Sequence, residues 1–159
     1  MSWNASYKLS WNDFKDKPNP NTSAVAITAS GITFGFSVKQ TDAQVVSFKA
    51  DVFAHFYPEQ SWYKSNLADS HVLSHEQFHF NITELYARKF RQRISLLKTS
   101  NNIKKELNQL YKIIKMELGE MQNRYDNESN YSRNIEKQTK WETYITEELN
   151  KLSIFKSVD

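Results

Sequence analysis

Apolar residues recur with two different periods along this chain, and the change falls near residue 65. Ahead of it, apolar and polar positions tend to alternate, as in strands buried on one face. Ala24–Lys39 (AVAITASGITFGFSVK) and Gln44–Tyr57 (QVVSFKADVFAHFY) are rich in β-branched and aromatic residues, with Gly31 and Gly35 placed for bends or bulges. Tyr7–Phe14 (YKLSWNDF) is a shorter apolar segment, cut off from them by Lys15–Ser23 (KDKPNPNTS), whose two prolines forbid helix. Thr41–Ala43 makes a turn, and Pro58–Ser61 ends the sheet. The pattern predicts a small antiparallel N-terminal sheet of about three strands.

Beyond residue 65 the spacing becomes helical. Asp69 or Ser70 can cap a helix running to roughly Lys98, with Leu73, Phe78, Ile82, Leu85, Phe90 and Ile94 as its apolar positions. After the polar break Thr99–Asn102, a second helix is expected over Ile103–Arg124, carrying the stripe Leu107, Leu110, Ile114, Leu118 and Met121. Tyr125–Asn130 (YDNESN) reads as a loop, and Tyr131–Leu152 as a last helix with Ile135, Trp141, Ile145 and Leu149. The expectation is one α+β domain over residues 1–159, β-rich in 1–60 and helical in 65–152.

Composition narrows the classes. A chain of 159 residues can bury a core, and 39% hydrophobic with 25% charged residues is globular rather than disordered. Its 3 glycines and 3 prolines favour long regular elements. The net charge of +3 comes from Lys and Arg interleaved with Glu, which reads as solvated helix faces and not as a nucleic-acid surface. The absence of cysteine excludes disulfides, thiolate zinc sites and cysteine nucleophiles, and leaves the compartment open, the cytoplasm included. No apolar run approaches the roughly 20 residues of a membrane span. The opening MSWN lacks a signal-peptide core and is compatible with a native start or with a leader already removed.

The densest chemistry lies in Ser74–Arg91, SHEQFHFNITELYARKFR. His75 and His79 are four residues apart, so on a helix they project from one face and can place two imidazole nitrogens on one Zn²⁺. Glu76 follows the first histidine, where its carboxylate reaches beside the metal and can take the proton of an attacking water. With 4 histidines and 11 glutamates in the chain, H-E-x-x-H arises by chance in about one per cent of shuffles. His71 does not complete a row of three, because eight helical residues rise about 12 Å; it reads as a neighbour of the site. Glu84 lies about 180° around the helix from His75 and suits a polar contact with Arg88.

The third ligand must come from elsewhere. Glu117, at the edge of the second helix's stripe, is one candidate. The Tyr125–Tyr131 region is the other, through Asp126, Glu128 or the phenolic oxygen of Tyr131. His55, at the end of a strand, reads as a partly buried strand residue.

YKLSWNDFK, the pair Ser61–Trp62, HEQFHFNITELYARKFR and YDNESNYSRNIEKQTKW together resemble DUF922, a family of bacterial zinc-dependent-protease-like proteins, over about residues 3 to 150. The resemblance implies a zincin-like, secreted or periplasmic metallopeptidase domain, in which His75 and His79 bind zinc, Glu76 is the catalytic base, and Glu84 and Arg88 belong to the signature. Family members commonly carry YD-x-x-T-x-H in the last block, and that histidine implies the third ligand; Tyr131 occupies its place here.

The leading functional expectation is a zinc metallopeptidase acting on a peptide or protein substrate. An edge strand from Ala24–Lys39 or Gln44–Tyr57 would receive the substrate by strand addition, with Tyr131 or Arg133 at the oxyanion. The alternative is a zincin-like binding module that lost its third ligand at Tyr131. Neither the oligomeric state nor a cleavage preference is written in the sequence.

Overall fold

The computed structural model describes residues 1–157. It is an α+β fold in which small antiparallel sheets precede three helices. Strands β1 (Ala26–Ile27), β2 (Ser30–Thr41), β3 (Gln44–Phe56) and β4 (Trp62–Tyr63) are followed by helices α1 (Ser70–Ser95), α2 (Ile103–Ser129) and α3 (Ile135–Lys151). The strands form two ribbons, β2 with β3 and β1 with β4, both antiparallel.

Three expectations are corrected at this level. Tyr7–Phe14 is not a strand: Ser10 and Asp13 close a capping box around a 3₁₀ turn at Trp11–Asp13. Its backbone bonds a helix side chain instead of a ladder, the Leu9 N–H donating to Gln77 Oε1 at 2.7 Å. Ala24–Lys39 is interrupted at Thr28–Ala29, where Thr28 Oγ1 donates to the Glu76 carbonyl and the Ala29 N–H donates to Ser61 Oγ. Tyr125–Asn130 is helical as far as Ser129, and α3 begins only at Ile135.

The β2–β3 hairpin turns through Asp42 and Ala43, both at positive φ (51° and 63°), as a two-residue turn that matches strand twist requires. One face of the hairpin is apolar: Ile32, Val52, Ala54 and Phe56 join the core, and Phe34 packs against it.

Helix α1 is buried on nearly all sides from His75 to Phe90. Such a helix needs partners all round, and its polar residues find them. On one side Gln77 and Asn81 hold the N-terminal segment, Trp3 Nε1 donating to Asn81 Oδ1 at 3.0 Å. Farther along, Glu84 is fully buried against Arg88 (2.8 Å) and Arg91 (3.2 Å). Those arginines also donate to the carbonyls of Leu149, Val52 and Phe155, tying α1 to β3 and to the chain around the end of α3. Glu84 thus faces Arg88 and not the histidines, as its helical angle requires. The remaining side of α1 carries His75 and His79 towards α2.

Candidate metal centre

Asp69 caps α1, its side chain accepting from the Val72 N–H at 2.8 Å. One turn in, His75 and His79 project together. Helix α2 lies alongside and supplies Gln122 and Asp126, themselves one turn apart. What carries α2 that far is Tyr125. It extends the Ile114–Leu118–Met121 stripe, is completely buried, and stacks on the His75 ring with centroids 4.5 Å apart. The helix stops at Asn130, which takes the left-handed conformation with φ 50°.

Three donor atoms converge. His75 Nε2 and His79 Nε2 are 3.1 Å apart, and Asp126 Oδ1 lies 3.0 Å from the first and 2.9 Å from the second. This His–His–Asp group can hold a metal ion. Donors on a tetrahedral ion with bonds of about 2.0–2.1 Å stand about 3.3–3.4 Å apart, so the triangle fits after opening by a few tenths of an ångström. Two ring nitrogens and a carboxylate oxygen aimed at one point repel through their lone pairs unless a proton or a cation sits among them. The donor set, nitrogen and oxygen without sulfur, suits zinc and other divalent transition metals.

The electrostatics agree with a site built for positive charge. Burial pulls the His79 imidazole down, but the Asp126 hydrogen bond, the charges of Glu76 and Asp126, and the Gln122 contact outweigh it, leaving its pKa raised. Burial pushes the Asp126 carboxyl up, yet hydrogen bonds and charge from His75 and His79 hold it well below the usual carboxylate range. The Tyr125 phenol is pushed far up by burial and by the neighbouring charges of Glu142, Glu76 and Asp126. It therefore stays neutral beneath the histidines.

Glu76 is 4% exposed, and its Oε2 is buried with no hydrogen-bond partner among the described residues. It lines the same cleft of about 810 Å³ as the three donors, together with the segment Thr22–Thr28. Strand β1 runs along that cleft. The Lys64 N–H donates to the Val25 carbonyl, and the register pairs Ala26 with Tyr63. Backbone groups alternate between the two edges of a strand, so those of Ala26 point away from β4. Among the described residues β1 has no other strand partner.

Asp126 joins the histidines; Tyr131 does not. Tyr131 is 56% exposed, with its hydroxyl 3.5 Å from Asn127 Oδ1, although it borders the cleft. Glu128 bonds Trp141 Nε1 and Arg124, and Glu117 pairs with Arg93 at 2.8 Å, so both are engaged elsewhere. His71 and Arg133 border the cleft; His71 Nε2 donates to the Ser132 carbonyl at 2.6 Å. His55 is a β3 residue paired with Gly31. Gln122 was not foreseen as part of the site. Its signal is its place one turn before Asp126, visible only if α2 is carried past Arg124.

Fold and site together define a class: an α+β domain in which an H-E-x-x-H helix and a carboxylate from the following helix build a candidate metal centre. The family model described as "Bacterial protein of unknown function (DUF922)" matches residues 5–134, and the chain belongs to that family. No curated protein and no solved structure matches the chain. No helix among the described residues is long and apolar enough to cross a membrane.

Proposed function

We propose that the protein is a zinc-dependent peptide hydrolase in which His75, His79 and Asp126 hold the metal and Glu76 is the general base. The observation that carries this reading is the convergence of two Nε2 atoms and one carboxylate oxygen within about 3 Å, beside a buried glutamate with a free oxygen. A zinc ion held there supplies Lewis acidity towards a peptide carbonyl and lowers the pKa of water. Glu76, next in the chain to one ligand, accepts the proton of the attacking water through its unpartnered oxygen and returns it to the departing amine. The outward backbone groups of Ala26 offer an extended substrate a place to add as a strand along the cleft. Tyr131 and Arg133, at the cleft border, are the groups available to the oxyanion.

Asp126 also weighs against the binding-module reading, which rested on the loss of a ligand at Tyr131. A location outside the cytoplasm belongs to the same proposal and rests on the family resemblance. The test is metal analysis of purified protein with a peptide-library digest. One equivalent of zinc is expected, with hydrolysis abolished in Glu76→Gln while metal is retained. Protein without stoichiometric zinc, or undiminished hydrolysis by Glu76→Gln, overturns the reading.

A further inference from the structure

The two histidines are supported unequally. His75 Nδ1 is buried without a hydrogen-bond partner among the described residues, whereas His79 Nδ1 lies 2.6 Å from Gln122 Oε1. The Gln122 amide cannot be turned round. Its Nε2 donates to the His79 carbonyl at 2.9 Å, a site that only a donor can fill, and also reaches Thr83 Oγ1 at 3.2 Å. Thr83 Oγ1 in turn meets Ser30 Oγ at 2.7 Å, so the clasp reaches the first residue of β2. One side chain thus grips both the ring and the backbone of a single residue.

We infer that Gln122 is a positioning residue for the metal: it keeps the His79 proton on Nδ1 and turns Nε2 towards His75 and Asp126. The inference rests on the metal reading. A ligating histidine almost always donates from its other ring nitrogen, and such partners are typically worth about 10–100-fold in metal affinity. An amide acceptor performs this without adding another negative charge beside Glu76 and Asp126. His75 is oriented by stacking on Tyr125 instead, which fixes the ring plane but not the proton.

The experiment compares wild type with Gln122→Leu and Gln122→Glu. Zinc affinity is read by competition with a chromophoric chelator, and the His79 Nδ1 proton by NMR of the zinc-free protein. Gln122→Leu is expected to bind zinc about 10–100-fold more weakly and to lose the slowly exchanging Nδ1 proton. Gln122→Glu, which keeps the acceptor at Nδ1 but not the donation to the His79 carbonyl, is expected to retain the Nδ1 proton and to bind zinc more tightly than Gln122→Leu. Wild-type affinity in a folded Gln122→Leu variant overturns the inference, as does an Nδ1 proton equally protected in it. If Gln122→Leu does not fold, loss of the protected Nδ1 proton in a folded Gln122→Glu variant overturns it. Absence of zinc binding by wild type overturns the metal reading and, with it, the role in affinity, while the proton measurement still reports whether Gln122 holds the ring.

Discussion

Replacing Asp126 with alanine separates the carboxylate of α2 from the phenol of Tyr131 as the third ligand. Asp126 supplies one of three converging donor atoms and the only negative charge among them. Partners of ligands are themselves worth about 10–100-fold, so loss of a ligand is expected to weaken zinc binding by at least about 100-fold. The side chain is 28% exposed, and its removal opens no void in the core. Tyr131→Phe removes a hydroxyl whose one hydrogen-bond partner among the described residues is Asn127, at 3.5 Å. Surface changes of that kind stay within about 0.5 kcal/mol, or about twofold in a binding constant. Both variants are to be titrated with zinc against a chelating dye, with circular dichroism as the folding control. Equal losses in the two variants, or a larger loss in Tyr131→Phe, would refute the assignment of Asp126.

Glu84→Ala is expected to cost about 3–5 kcal/mol in urea unfolding, because it leaves the Arg88 charge buried without its carboxylate; a cost under about 1 kcal/mol would contradict this. Zinc stoichiometry of the folded fraction should not change, since Glu84 faces away from the histidines. In zinc-free protein the His–Asp cluster should give a bell-shaped contribution to stability. The depressed Asp126 contributes above its ordinary value of 3.8, a contribution lost as pH falls through the lower folded value. The raised His79 contributes fully below its ordinary 6.5, a contribution lost as pH rises through the folded value. The stability difference between wild type and Asp126→Asn, measured in chelator, should therefore peak between about pH 4 and 6.5; a difference flat in pH would sink the coupling.

Where sequence and structure agree, the rule involved is local. The i, i+4 spacing of His75 and His79 and the angle of Glu84 away from them follow from helix geometry and are found, and of the two cap candidates, Asp69 and Ser70, Asp69 takes the position. Where they differ, a local preference was overruled by packing. Tyr125–Ser129 is polar and turn-like by composition, yet Tyr125 is buried against His75 and Trp141, and that contact carries the helix through it. The stripe continued past Arg124 in the sequence too, with Tyr125 four residues after Met121, but the weight of Asn, Asp and Ser obscured it. The Tyr7–Phe14 segment went the same way: its hydrophobicity is real, but Leu9 bonds a glutamine on α1 and not a strand.

By itself, then, the sequence determined the three-helix succession, the helix that presents two histidines and a glutamate, and the direction of Glu84 away from the histidines and towards Arg88. Periodicity and capping act over a few residues and can be read along the chain. Only the tertiary structure decided which carboxylate meets the histidines and which side chain holds His79 in place. Asp126 and Gln122 lie more than forty residues from their partners, and nothing in their immediate neighbours distinguishes them from Glu117 or Glu128. The distinction lies in the rotation of α2 against α1, which buries Tyr125, turns one face of α2 towards His75 and His79 and leaves the others to Arg93, Arg124 and Trp141.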